Sequence, residues 1–139
     1  MTRVLDFIFV LAYRTFSKKD LLIRCVLYMT ILIFFIFSPI TFFVATLLRE
    51  ESHTFVSRLF FYLIFFLILI ICYLRFNNHK DWILNKYSKI KIHQKFLPNI
   101  ILVIILLAGI GFGFLSMIWV SKIANTYHLD GYLYNHILK

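Results

Sequence analysis

Charge is what most of this 139-residue chain lacks: 15% of its residues are charged, and three long stretches almost exclude them. Leu21 to Leu48 holds Arg24 alone, Val56 to Leu74 holds Arg58 alone, and Leu97 to Val120 holds none. Away from their ends these stretches carry no Asp, Glu, His or Lys. Pumps, proton-coupled transporters and intramembrane hydrolases depend on such groups, so their lack argues against each of these classes. The polar atoms left at depth are Thr30, Ser38, Thr41, Ser116 and a few tyrosine hydroxyls. A Ser or Thr with no base beside it reads as a packing residue, not as a nucleophile. Cysteine is nearly missing too. Cys25 falls near the start of the first stretch and Cys72 near the end of the second, the ends expected in the cytoplasm, where a reducing compartment and an apolar setting make them small core residues and not a disulfide or a metal site. There is no glycine-rich phosphate loop, internal repeat, inverted repeat or low-complexity linker. None of the stretches has a polar stripe, so one protomer cannot enclose a polar pore.

What the chain has instead is apolar surface: 62% hydrophobic residues and a mean hydropathy of +0.88. A membrane span needs about 20 mostly apolar residues to cross about 30 Å of hydrocarbon, at about 1.5 Å per residue. Each block meets that length. The expectation is an all-α membrane protein with three transmembrane helices at 18–48, 56–75 and 97–120, preceded by a segment at 1–17 and followed by a tail at 121–139. A soluble core is a poor alternative, because blocks amounting to about half the chain leave too little polar sequence to wrap them.

Charge then sets an orientation. Arg3, Arg14, Lys18, Lys19 and Arg24 outweigh Asp6 and Asp20 on the N-terminal side, and Arg75, Lys80, Lys86, Lys89, Lys91 and Lys95 outweigh Asp81 between the second and third blocks. On the other side Arg49 and Arg58 offset Glu50 and Glu51, and the tail sets Lys122 and Lys139 against Asp130. The positive-inside rule places the N-terminus and the 77–96 segment in the cytoplasm and the C-terminus outside. Most of the net charge of +9 is thereby a topology signal, and nucleic acid is not needed to explain it. Arg14, Lys18, Lys19, Lys80, Lys86, Lys89, Lys91 and Lys95 are expected at anionic lipid headgroups, and Trp82 and Trp119 at the two interfaces. The implied location is a bacterial inner membrane.

Local patterns add detail. In 1–17, Arg3, Asp6, Val10, Tyr13, Arg14 and Ser17 share one side of a helical wheel and Leu5, Phe7, Ile8, Leu11, Ala12 and Phe16 spread over the other, the pattern of an amphipathic helix in the interface. A signal peptide fits less well, because Asp6 interrupts the apolar region. Ser17 to Asp20 reads as a capping box that starts the first span near Lys18. Ser38-Pro39 predicts a kink in that span, with Ser38 or Thr41 serving the freed carbonyl. Residues 49–53 read as a tight turn. The second span, all bulky from Leu59 to Ile71, suits lipid contact. In the third, Gly109, Gly113 and Ser116 form a small-residue face for close helix packing, either within the chain or onto a partner. His128, Asp130 and His136 make a weak metal signal, and the tyrosines around them read better as an outer aromatic belt with Trp119. No cofactor is implied.

The layout resembles the small inner-membrane immunity proteins that protect bacteria from pore-forming toxins. The likeness rests on the basic, aromatic segment from Lys80-Asp81-Trp82 onward leading into the glycine-containing last span. It extends over the plan of the chain and carries no residue-level signature, so no functional residue transfers. The tail and the N-terminal segment depart from that pattern. The resemblance implies a non-enzymatic protein that binds a membrane partner, a toxin, through helix packing. An accessory subunit of a larger membrane complex and an oligomerising membrane-disrupting effector are the other classes compatible with these features.

Overall fold

The computed structural model describes residues 2–16, 20–48, 55–88 and 96–129. They form five helices: α1 (Thr2–Thr15), α2 (Leu21–Ile36), α3 (Ser38–Leu47), α4 (Phe55–Lys86) and α5 (Phe96–Tyr127). Long apolar runs become helices because a helix pairs its backbone groups internally. Two helical segments, Arg58–Lys86 and Leu97–Tyr127, are long and apolar enough to cross a membrane, and α2 with α3 makes a third if the bent pair is one crossing.

The kink expected at Ser38-Pro39 is a complete break. α2 ends at Ile36 and α3 leaves it at 62°. Pro39 occupies the first turn of α3, where its missing N–H costs nothing, whereas inside a continuous helix it would remove a bond and clash with the preceding turn. The Thr41 hydroxyl donates to the Ser38 carbonyl at 3.0 Å and reaches the Phe37 carbonyl at 3.3 Å, so Thr41 serves the carbonyls at the break. Among the described residues, Ser38 Oγ is the one buried side-chain polar atom with no hydrogen-bond partner.

The start of the first span is a correction. α2 begins at Leu21, with Asp20 as its N-cap in a left-handed conformation (φ 54°) and no side-chain capping bond; Ser17 to Lys19 lie outside the described residues. Asp accepts that conformation more readily than most residues. α1 and α2, on either side of this cap, pack on each other.

Ring contacts and one hydrogen bond give the register. Phe34 meets Phe65 edge-on at 5.7 Å and Phe42 meets Phe61 at 5.4 Å, so α2–α3 runs antiparallel to α4. The Tyr28 hydroxyl donates to the Leu102 carbonyl at 2.7 Å, and further along, Leu32 lies against Gly109 and Phe35 against Gly113. α2 therefore runs parallel to α5. The small face of α5 continues through buried Val120 and Ala124, while α3, which packs on α5, buries Ser38, Thr41 and Ala45 at matching helical spacing.

α1 is packed more deeply than a helix resting on a surface. Ile8, Phe9, Val10, Leu11 and Ala12 are all buried, as is Asp6. The buried set takes in Val10 and Asp6, which the wheel places on the polar side of an interfacial helix. α1 contacts α2, α4 and α5, and the largest buried cluster joins it to Cys25, Met29, Leu32, Cys72, Phe76, Ile83 and Leu102. The core thus sits at the α1 end. Two helices also outlast the expected spans, α4 running to Lys86 and α5 to Tyr127, because neither extension contains a Gly or Pro to stop it.

Candidate functional site

Past Leu74, α4 leaves its apolar run and becomes charged: Arg75, Lys80, Asp81 and Lys86 follow within three turns. This extension lies against α1. Phe9 and Phe76 stack at 4.2 Å with their planes 7° apart, a contact that holds the two helices in register. Next to the stack, Arg75 Nη2 donates to Asp6 Oδ1 at 2.6 Å. The pair is asymmetric: Asp6 is 4% exposed, while the Arg75 side chain keeps 34% of its surface. A carboxylate enters an apolar core only with a partner, and Arg75 supplies it. Its guanidinium also lies 5.6 Å from the centre of the Phe76 ring.

Just past the end of α4, Tyr87 clamps α1 at two points. Its hydroxyl donates to the Arg3 carbonyl at 3.2 Å, and its own carbonyl accepts from Arg14 Nη2 at 3.0 Å. Its ring meets Phe7 edge-on at 6.2 Å. Lys86 places its ammonium 4.6 Å above the Trp82 ring and 5.7 Å from that of Tyr87, within range of cation–π attraction. Between the helices an open cleft of about 350 Å³ is lined by Asp6, Arg75, His79, Trp82 and Ile83. His79 Nδ1 lies 3.1 Å from the Arg75 carbonyl one turn earlier, and Trp82 is 59% exposed.

The residues singled out from sequence fall into three groups. Gly109 and Gly113 lie against α2 of the same chain, and buried Ser116 donates to the Phe112 carbonyl at 2.7 Å. Arg14, Lys80, Lys86 and Trp82 sit at the α1 end, while exposed Trp119 lies toward the other end of α5. Lys18, Lys19, Lys89, Lys91 and Lys95 lie outside the described residues, as do Asp130, His136 and the 49–53 turn.

The Asp6–Arg75 pair and the cleft escaped the sequence reading. Sequence places Asp6 on the polar side of an interfacial helix and Arg75 in the charge of the segment that follows the second span. A signal did exist: a lone acid inside FIFVLAY-type surroundings needs a base, and Arg75 is the first charge after Arg58 on α4. The chemistry within the bundle is sparse. The hydroxyls of Thr30, Thr46 and Ser116 each return to the carbonyl four residues earlier, which occupies them in packing. Cys25 and Cys72 are buried free thiols. Among the described residues, no three His, Cys, Asp or Glu side chains group as metal ligands. No family model, no curated protein and no solved structure matches this chain.

Proposed function

We propose that this chain is a non-enzymatic integral membrane protein that binds a membrane partner, with an immunity role against a membrane-inserting toxin as its specific form. In this reading α2 and α3 form one bent crossing, α4 and α5 form the other two, and the α1 end faces the cytoplasm. Support for three crossings comes from the parallel advance of α2 along α5, from Tyr28 beside Leu102 to Phe35 beside Gly113. Support for the orientation comes from Arg3, Arg14, Arg75, Lys80 and Lys86, all on the α1 end. Membranes hold that arrangement with the basic end inside.

The observation that carries the functional reading is the contrast between interior and exterior. The buried hydroxyls of Tyr28, Thr30, Thr41 and Ser116 close on carbonyls, with Ser38 the exception, whereas α4 turns a continuous apolar face outward through Leu59, Leu63, Phe66, Leu67, Ile70 and Leu74. Gly109 and Gly113 are occupied by α2, so the surfaces left to a partner are the outer faces of α4 and α5. An inserting toxin helix would lie against such a face and be held there by packing.

Protection is the test. Cells producing this chain are challenged with the product of any toxin gene adjacent to its own, and survival is compared with cells lacking it. Survival that depends on the chain supports the immunity role. Stoichiometric copurification with a transport or secretion machine replaces that role with an accessory subunit, and growth arrest on induction of the chain alone replaces it with an effector.

A further inference from the structure

The cleft between α1 and α4 combines features that a lipid headgroup would need. Resting on the membrane reading above, its depth follows from α4, where Arg75 ends the apolar run. Leu67, Ile71, Arg75 and His79 recur every fourth residue, so they share one face of the helix. Leu67 and Ile71 are exposed on that face, toward the hydrocarbon. One side of α4 therefore passes from oil-like surface directly into a charged cleft.

The charge is held ready for an anion. Asp6 takes up one bond from Arg75, which orients the guanidinium and leaves its other N–H groups without a hydrogen bond to any described residue. A guanidinium presents five donors in a planar fork suited to phosphate. His79, with Nδ1 3.1 Å from the Arg75 carbonyl, lines the same cleft beside the guanidinium. Lys86 adds positive charge over the ring of Trp82, which lines the cleft. Asp6 and Asp81 are outnumbered by Arg75, Lys80 and Lys86 on these surfaces.

We propose that this cleft is a discrete binding site for the phosphodiester headgroup of an anionic phospholipid, with the phosphate on Arg75, the rest of the headgroup against His79 and Trp82, and an acyl chain along Ile71 and Leu67. A volume of about 350 Å³ takes a phosphoglycerol group but not a whole lipid, so the chains lie outside it on the exposed face. The site differs from diffuse attraction between lysines and the membrane surface in that it saturates with one lipid per chain. It also depends on residues other than the lysines.

The test uses the full chain carrying Trp119→Phe, which leaves Trp82 as the sole indole reporter. The protein in neutral detergent micelles is titrated with dioleoyl phosphatidylglycerol, with dioleoylglycerol, and with inorganic phosphate. The expected result is a saturable Trp82 fluorescence change with phosphatidylglycerol at one lipid per chain, none with dioleoylglycerol, and at least about 100-fold weaker binding of free phosphate, which lacks the chain contacts. His79→Ala and Arg75→Lys should each weaken the lipid by about tenfold, while Lys122→Gln on the far part of α5 leaves it unchanged. Equal response to dioleoylglycerol would reduce the site to a greasy surface. Free phosphate binding as tightly as the lipid would assign the cleft to a soluble anion, and indifference to His79→Ala and Arg75→Lys would return the lysines to diffuse attraction; each overturns the proposal. Alkaline carbonate extraction of cell membranes separates this from failure of the membrane reading: a chain that resists extraction yet binds no lipid sinks the site alone.

Discussion

Asp6 and Arg75 show how far a single residue's neighbourhood can depart from its sequence context. Asp6 is nearly dry and Arg75 is not, so the two halves of the pair are not equivalent. Arg75→Ala strands a carboxylate inside the α1 core and should destabilise the fold by about 3 kcal/mol, the cost of an uncompensated buried charge. Asp6→Ala leaves a guanidinium that can turn to water or headgroups along its flexible stem, at a cost nearer 1 kcal/mol. Asp6→Leu combined with Arg75→Met should recover most of the loss, since packed apolar groups often replace a buried pair without penalty. Thermal unfolding of the four proteins in one detergent measures all three, and equal losses for the two alanine variants would mean that the pair is solvated alike at both ends. The phenylalanine stack beside it is unaffected by these changes, so α1 should remain attached in each variant.

Between helices, the close approach of α2 and α5 rests on Gly113. A Cβ built there would collide with Phe35 Cδ1, whereas at Gly111, two residues away, it meets nothing within 4 Å. Gly113→Ala must push the Phe35 ring out of place and should cost about 1–3 kcal/mol by overpacking. Gly111→Ala, on an exposed face, should be neutral or stabilising by up to about 1 kcal/mol from helix propensity. Opposite signs for these two variants in a detergent unfolding assay support internal use of the face. If Gly113→Ala is also harmless, α2 and α5 do not meet this closely. The break between α2 and α3 belongs to the same packing problem: bending at Phe37 brings α3 onto α5, and the orphaned Ser38 hydroxyl is what that arrangement leaves unsatisfied.

For the molecule as a whole, the distribution of charge makes a topological prediction. Single cysteines replacing Lys80 and His128, in a background without Cys25 and Cys72, should be labelled by a membrane-impermeant maleimide from the cytoplasmic side and the outer side respectively. Labelling of both from one side would show that α5, the one helix between them, does not cross. Changing Lys80, Lys86, Lys89, Lys91 and Lys95 together to glutamine should loosen or invert α5, because each basic residue near an anionic surface contributes about 1 kcal/mol to its placement. The Asp6–Arg75 contact and the Phe9–Phe76 stack predict that α1 follows α4, so an inversion that leaves α1 on its original side would break both.

Much of this arrangement was readable from the order of residues. Hydrocarbon-length runs without charge can only become helices, because a backbone without water must bond to itself; that requirement is local, and it marked the apolar helices. Pro39 announced the break, since a missing N–H and a ring clash need no tertiary context. The face of Gly109, Gly113 and Ser116 was visible as spacing, but which helix would fill it was not, because small residues state only that something can come close. Phe35 answered that. The role of α1 was the furthest from reach: a helical wheel separates polar from apolar residues, yet it cannot show that Arg75, 69 positions away, would neutralise Asp6. Once that charge is paired, the polar side of α1 can be buried, and a segment that composition assigns to the membrane surface becomes part of the core.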